Sequence, residues 1–258
     1  MIWYHTPMFP SEMPDGRRHL LIGALSVAGG AVLLVVAWFV WQIISFYVQI
    51  QHDGLGSIEN RRLETNVSSL VANAAVTPED LALLVPTGLY PERGSRTAPV
   101  TVVVFVDYQC PFCRRSAPAV RKVIDAYGDQ VHLIIRDFPV TSLHPNATRS
   151  AVAARCALVQ GQDVYWRFQD LLYANPDDHT PEQFRVWAHA SGARVDAFTA
   201  CLADDRVPAH IDRDIEAGLR VGVQGTPTFF VNGVRIQGAL DEALLSRVIG
   251  ATLEKLNL

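Results

Sequence analysis

The sequence predicts an α/β domain that carries an inserted helical block and follows one transmembrane helix and a helical stalk. Three observations support this fold class. An uncharged apolar stretch lies near the N-terminus, a strand–helix–strand order begins at Val100, and helical patterns fill residues 146–221 before strand patterns return near Thr228. The strand–helix–strand order indicates a parallel pair of strands with a crossover helix.

The composition excludes several classes of protein. With 49% hydrophobic and 19% charged residues, the 258-residue chain is unlike disordered or collagen-like sequences. A net charge of −4 without a large basic block argues against nucleic-acid binding. The four cysteines all follow residue 100 and are too few for a disulfide-dense small protein, so they indicate a redox or metal-binding role.

The first 50 residues predict a membrane anchor. No Asp, Glu, Lys or Arg lies between Arg18 and Asp53, and a helix over Leu20–Trp41 would be roughly 33 Å long, enough to cross a bilayer. We assign residues 1–19 to a cytoplasmic segment and 20–50 to the anchor. A cleaved signal peptide is the alternative, but its apolar region is typically about 7–15 residues long. The cysteine usage downstream suits an oxidising compartment, which places the C-terminal domain outside the cytoplasm.

Residues 51–97 predict a juxtamembrane stalk followed by a linker. Apolar residues recur at helical spacing from Ser57 to Ala75, and this stripe suits either pairing with a second copy or docking on the following domain. Thr77 and Pro78 mark the start of another helix. Residues 86–99 are rich in proline, glycine and charge, as linkers are. The main domain is expected over residues 98–258.

The elements of the domain have separate signals. Val100–Val106 is a nearly continuous run of β-branched and aromatic residues, which is typical of a buried strand, and Val131–Arg136 is a second such run. A helix is expected between them, from Cys110 to about Tyr127. The remaining predicted elements are helices at Ala147–Gln160, after the Thr180 capping box, at Val195–Ala203 and at Pro208–Arg220, strands at Thr228–Val231 and Val234–Gln237 joined by an Asn232-Gly233 turn, and a final helix at Asp241–Leu256.

Two cysteines stand where the first strand passes into the helix. Cys110 precedes Pro111, the expected first helical residue, so its thiol faces unsatisfied backbone N–H groups and the positive end of the helix dipole. Both favour the thiolate, which is the nucleophile in disulfide exchange. Cys113 lies one turn later on the same face and is placed to resolve a mixed disulfide on Cys110. Phe112 offers the thiolate neither a hydrogen bond nor a charge, so we expect weaker stabilisation than in the strongest oxidants.

A zinc half-site is the alternative interpretation of this pair. Structural zinc usually takes four ligands, often in two closely spaced pairs. Cys156 and Cys201 are 45 positions apart in the sequence, and the histidines show no ligand spacing with them. We therefore expect no metal and no organic cofactor, and the redox-active disulfide Cys110–Cys113 would itself carry the chemistry.

Three segments together carry a family resemblance. They are Asp107-Tyr108-Gln109-Cys110-Pro111-Phe112-Cys113, Arg136-Asp137-Phe138-Pro139 and Gly222 to Gly233. With them, the sequence from about Ala98 to Leu256 resembles the DsbA-like thiol:disulfide oxidoreductases of the thioredoxin-fold superfamily. The resemblance implies a thioredoxin-like fold with an inserted helical domain.

The same resemblance implies a substrate site and reveals one departure. It implies that Pro227 is cis beside the two cysteines, and that the backbone at Gly225, Thr226 and Pro227 pairs with an extended substrate strand. Many relatives carry a buried acid six residues before the first cysteine, where this chain has Val104. The nearest acid is Asp107, so the sequence leaves the proton route to Cys113 open.

The second pair of cysteines allows two readings. In an oxidising compartment Cys156 and Cys201 would form a structural disulfide, whereas the alternative is two separate buried thiols. Some relatives have such a bridge in the insertion, so the resemblance favours the disulfide.

The resemblance implies a function as well. Together with the predicted anchor, it indicates a bacterial single-pass membrane protein whose domain lies in the periplasm or other extracytoplasmic space and donates disulfides to exported cysteine-containing proteins. A membrane redox partner would reoxidise the Cys110–Cys113 pair, and the anchor would keep the two close. A disulfide reductase or isomerase with the same site is one alternative. A redox-silent client-binding or assembly factor is another.

Overall fold

The structure is a computed structural model that describes residue 30, residues 33–45, residue 48, residues 76–85 and residues 87–257. The chain divides into two units, Met1–Thr65 and Asn66–Leu258. In the first unit residues 33–45 are helical, and their large apolar side chains are exposed. No helix within the described residues has both the length and the apolar character needed to cross a membrane. Much of the predicted anchor, and the whole stalk up to residue 75, lie outside the described residues.

The second unit is built around one five-stranded sheet. The order of its strands is β1-β3-β2-β4-β5, in which only β2 and β3 run parallel. The predicted α/β fold with a helical insertion is therefore confirmed. The strands are β1 (Glu92–Gly94), β2 (Val100–Val106), β3 (Val131–Asp137), β4 (Thr228–Val231) and β5 (Val234–Gln237), and the helices are α1 (Pro78–Leu84), α2 (Pro111–Tyr127), α3 (Ala147–Leu158), α4 (Gln162–Ala174), α5 (Pro181–Ala190), α6 (Val195–Leu202), α7 (Arg206–Arg220) and α8 (Glu242–Lys255).

The two faces of the sheet bury different side chains. Alternate residues of β2 point to opposite faces, as the period of a strand requires. Val102 and Val104 belong to the larger core, together with residues of α2, α8 and the helical insertion. Val103 and Phe105 belong to a smaller core on the other face, which includes Leu84 of α1. With both faces covered, the central strand is apolar except for Thr101 near its start, which is partly exposed.

Strand β1 lies in the segment that the sequence analysis assigned to the linker. It pairs antiparallel with β3, so the sheet begins before residue 98. The three residues Glu-Arg-Gly carry no strand signal of their own. Gly94 has a φ of +83°, and a Cβ atom there would lie 2.0 Å from the carbonyl oxygen of Val131. Only glycine therefore allows the two strands to approach at this point.

A buried network of charges joins the sheet to the insertion. Arg136 and Asp137 at the end of β3 meet Arg155 of α3 and Asp214 of α7. Arg136 Nη2 donates to Asp214 at 2.6 Å, and Arg155 Nε donates to Asp137 at 2.6 Å. Arg155 also donates to Asp214. All four residues are buried, so their charges must be satisfied within the network.

A disulfide closes the insertion. Cys156 of α3 and Cys201 of α6 are bonded, with a sequence separation of 45 residues. In the chain-entropy model a loop of this length stabilises the folded protein by roughly 4 kcal/mol. The bridge fixes the position of α6 against α3, next to the larger core.

Candidate active site

Cys110 is held at the junction of β2 and α2. It is the N-cap of α2, with extended backbone angles (φ −68°, ψ 122°), and Pro111 is the first helical residue. The backbone N–H of Cys110 donates to the carbonyl oxygen of Asp107 at 3.1 Å, which closes the turn after the strand. The thiol therefore stands at the end of the helix where backbone N–H groups have no partner in the helix.

The environment of Cys110 favours its thiolate. A hydrogen bond from the Cys113 thiol, helped by the backbone N–H groups of Cys113 and Phe112, lowers the pKa of Cys110 to about 5 against the opposing effect of burial. This pKa lies between the values of about 7 for thioredoxin and about 3.5 for DsbA. Backbone groups thus stabilise the thiolate even though Phe112 contributes no polar side chain.

The environment of Cys113 instead favours its protonated thiol. Burial raises its pKa well above the ordinary value of 9.0, and the neighbouring Cys110 thiolate raises it further. Both cysteines are buried, with 2% of Cys113 and 4% of Cys110 exposed, so the contrast between them lies in their pKa values. The two thiols are both free and lie one helical turn apart, with one poised as a thiolate and the other holding its proton. This asymmetry is what an attacking and a resolving cysteine require.

The lowered pKa of Cys110 predicts a specific dependence on pH. Absorbance of the thiolate near 240 nm in the reduced protein should titrate with a midpoint near pH 5, and Cys110→Ala should remove this transition. An unfolded chain, in which the pKa is about 9, binds more protons between these two pH values. The Cys110 contribution to the stability of the reduced protein should therefore be complete above about pH 9 and be lost as the pH falls through about 5. A midpoint above about pH 8 would contradict the geometry described here.

The loop before β4 faces the cysteines. The peptide bond between Thr226 and Pro227 is cis, and Cys110 Sγ lies 3.2 Å from the carbonyl oxygen of Thr226. The hydroxyl of Thr228 donates to the carbonyl oxygen of Gly225 at 2.7 Å, which fixes the turn. A Cβ atom at Gly225 would have no neighbour within 4 Å, so this side of the loop is open. The structure thus brings Thr226 and Pro227 beside Cys110.

The rim of the site is apolar and partly exposed. Pro111 and Phe112 are exposed, with 52% of Phe112 accessible to solvent. The guanidinium of Arg115 lies over the Phe112 ring, 5.3 Å from its centroid. An exposed aromatic ring beside a thiolate can contact apolar segments of a partner.

Asp107 is the acid nearest to the cysteines in sequence, and both of its carboxylate oxygens make hydrogen bonds to groups other than the thiols. One carboxylate oxygen accepts from the backbone N–H of Gln109 at 2.8 Å. The other accepts from the backbone N–H of Val140 and lies 2.8 Å from Nδ1 of His144. Asp107 thereby holds the loop after β3 against the turn that carries Cys110.

Among the described residues, no group of three or more His, Cys, Asp or Glu side chains could hold a metal ion.

The sequence analysis missed the Arg136–Asp137–Arg155–Asp214 network. Arg136 and Asp137 were noted only within a resemblance segment, and Arg155 and Asp214 resemble ordinary surface charges in the sequence, because the contacts that join the four residues lie between three separate elements.

Comparison with known sequences places the domain in a family. Residues 86–251 match the model of the family described as thioredoxin. The Na(+)/H(+) antiporter NhaA 3 of Salinispora tropica is 41% identical over 160 residues, which are 62% of this chain and 24% of that protein. The Na(+)/H(+) antiporter NhaA 1 of Mycolicibacterium gilvum is 30% identical over 242 residues, or 87% of this chain and 38% of that protein. The chain thus spans well under half the length of these curated relatives.

Solved structures give the same fold. The catalytic domain of Proteus mirabilis ScsC has a TM-score of 0.60 at 19% identity, covering 68% of this chain and 96% of that one. A thioredoxin-like oxidoreductase from Silicibacter pomeroyi has a TM-score of 0.60 at 26% identity, with coverages of 69% and 99%. The thiol-disulfide exchange protein alpha-DsbA2 from Wolbachia pipientis has a TM-score of 0.61 at 20% identity, with coverages of 74% and 97%. Since the family match covers most of the chain, the protein belongs to the thioredoxin family, and its second unit has the DsbA-like fold that the sequence resemblance implied.

Proposed function

We propose that this chain is a thiol:disulfide oxidoreductase whose Cys110–Cys113 pair donates disulfides to exported proteins that contain cysteines. The contrast between the two thiols carries the proposal. Because the surroundings of Cys110 favour its thiolate, they stabilise the reduced form of the pair. A stabilised reduced form makes the corresponding disulfide a stronger oxidant.

The exchange would proceed in two balanced steps. A client thiolate attacks Cys110 Sγ of the oxidised pair, the Cys110–Cys113 bond breaks, and Cys113 leaves with the electron pair and takes up a proton. A second client thiolate then attacks the client sulfur of the mixed disulfide, and Cys110 leaves as a thiolate. The client loses two electrons and gains a disulfide, while the pair gains two electrons and becomes a dithiol.

The loop that faces Cys110 suits an extended client segment. The backbone around Thr226 lies against the reactive sulfur, and backbone pairing there would align a client strand by β-addition. The exposed Phe112 ring would add apolar contact beside the mixed disulfide. Such a site would bind the backbone and apolar side chains of a client without requiring a particular sequence, which fits clients of varied sequence.

We further propose that the chain is tethered to a bacterial cell membrane by residues 20–50, with its second unit outside the cytoplasm. The uncharged stretch of Leu20–Trp41 and the Cys156–Cys201 disulfide support this location. A membrane protein would reoxidise the pair, and the tether would raise the effective concentration of the two partners.

The reduction potential of the Cys110–Cys113 pair tests the direction of exchange. Glutathione redox titration of the full chain, with mass mapping to separate this pair from Cys156 and Cys201, should give a value of about −120 to −180 mV. A value of about −230 to −270 mV would instead favour a reductase. A pair that does not exchange with glutathione at all would contradict both and leave a client-binding factor.

A further inference from the structure

A small cavity lies behind the buried cysteine. Its volume of about 20 Å³ is enough for one water molecule, which needs about 10–15 Å³. The cavity lies between α2, the sheet and α4. It is lined by Val104, Val106, Cys113, Ser116, Ala117, Val120, Arg121, Leu133, Ile135, Trp166, Gln169, Tyr173, Pro227 and Phe229.

Ser116 brings a polar group to this cavity. It follows Cys113 by one turn of α2, and only 3% of it is exposed. Its hydroxyl has no hydrogen-bond partner among the residues that the structure describes. Buried hydroxyls almost always have a partner, often an ordered water. Gln169 and Arg121 also line the cavity, but most of its wall is apolar. Gln169 Nε2 donates to the Tyr165 hydroxyl and Arg121 pairs with Asp170, so a water there would depend mainly on the Ser116 hydroxyl and on Cys113 for its hydrogen bonds.

Cys113 needs a proton acceptor and donor that the surrounding ionisable groups do not supply. Asp107 does not line the cavity, and both of its carboxylate oxygens are engaged elsewhere. Burial raises the pKa of Tyr173 well above 10.0, so its hydroxyl keeps its proton at neutral pH. Arg121 pairs with Asp170, and the Cys110 thiolate is itself a reactant. Val104, at the position where many relatives carry an acid, gives the cavity an aliphatic wall.

We propose that the cavity holds one water molecule, bound by the Ser116 hydroxyl, through which Cys113 gains and loses its proton. The inference rests on the thiol exchange proposed above. When a client thiolate breaks the Cys110–Cys113 bond, the water donates a proton to the leaving Cys113 thiolate and regains one from solvent. In the reverse direction the water takes the proton of the Cys113 thiol as it passes one of its own to solvent, and the Cys113 sulfur attacks Cys110 Sγ of the mixed disulfide, so that the client leaves as a thiolate. Arg121, which reaches the surface, marks the side on which solvent is close.

The test compares three single variants and one double variant of the full chain, with reduced glutathione as the attacking thiol. Ser116→Ala should slow the opening of the Cys110–Cys113 disulfide by about a hundredfold, which is the low end of general acid catalysis. It should also change the pH profile and the solvent isotope effect of this step. Ser116→Thr keeps the hydroxyl and should retain most of the rate. Ser191→Ala removes another buried hydroxyl without a described partner, away from this cavity, and should behave as wild type.

The readouts separate a positioning role from a structural one. In Ser116→Ala the thiolate titration of Cys110 should keep its midpoint, because the hydroxyl acts on Cys113 alone. Wild-type rate and pH profile in Ser116→Ala would overturn the proposal, as would an equal loss in Ser116→Ala and Ser116→Thr. The double variant Ser116→Ala with Val104→Asp, which places an acid in the same cavity, should recover rate. Absence of exchange in the wild type would refute the proposed function rather than the role of Ser116.

Discussion

We expect Cys110→Ala to reduce disulfide exchange with a dithiol client at least about a thousandfold, because the variant loses the sulfur that forms the covalent intermediate. Cys113→Ala should behave differently. Its Cys110 keeps its place at the N-terminus of α2 but has no resolving partner. With a client in its disulfide form, the Cys110 thiolate attacks the client disulfide and one client sulfur leaves as a thiolate, so the mixed disulfide should accumulate because Cys113 is not there to displace the client. Non-reducing electrophoresis with mass mapping of the linked peptides measures both outcomes.

The other cysteine pair, Cys156 and Cys201, is unchanged in both variants, so the insertion that it closes should keep its structure. The Cys156–Cys201 disulfide joins α3 to α6 and is untouched by both substitutions, so each variant should keep the wild-type fold and lose at most the stability that the Cys110 thiolate gives to the reduced protein. Retention of function by Cys110→Ala in cells would contradict the oxidoreductase proposal and favour a redox-silent client-binding factor. A mixed disulfide that maps to Cys113 instead of Cys110 would contradict the assignment of the two roles.

Parts of the fold are encoded locally and were accessible from the sequence. Val100–Val106 is buried on both faces of the sheet except at the partly exposed Thr101, and this double burial is what produces a nearly continuous apolar run. Strand β1 was missed because Glu92–Gly94 is short, lies at an edge and owes its conformation to pairing with β3. Its positions are set by a partner 40 residues away in the chain, and no sequence window contains both.

The active site also combines features that the local sequence predicts with features that depend on tertiary contacts. Cys110 before a helix-starting Pro111 is a local signal for a stabilised thiolate, and the structure supplies the backbone donors that this signal implies. The hydrogen bond from Cys113 contributes more than those donors, and its strength depends on a side-chain geometry that spacing alone does not define. The occupied carboxylate of Asp107 and the unpartnered hydroxyl of Ser116 depend on tertiary contacts, so the sequence left the proton route open.

The buried charge network predicts the largest loss of stability. Asp214 accepts from Arg136 at 2.6 Å, from the backbone N–H of Asp137 at 3.0 Å and from Arg155. The two arginines and two aspartates of the network balance in charge. Asp214→Asn keeps the shape but leaves one positive charge uncompensated in the interior, which should lower the free energy of unfolding by about 3–5 kcal/mol. Urea unfolding of the full chain, followed by tryptophan fluorescence, measures the change.

A neighbouring residue on the same helix provides the control. Asp212 of α7 is exposed, so Asp212→Asn makes the same chemical change in solvent and should alter the free energy of unfolding by less than about 0.5 kcal/mol. Equal effects of the two substitutions would show that the network contributes no more than a surface charge. The network joins β3 to α3 and α7, whereas the thiols depend on the start of α2. Asp214→Asn should therefore leave the Cys110 thiolate titration unchanged at temperatures where the variant is folded, which separates the stability of the insertion from the chemistry of the site.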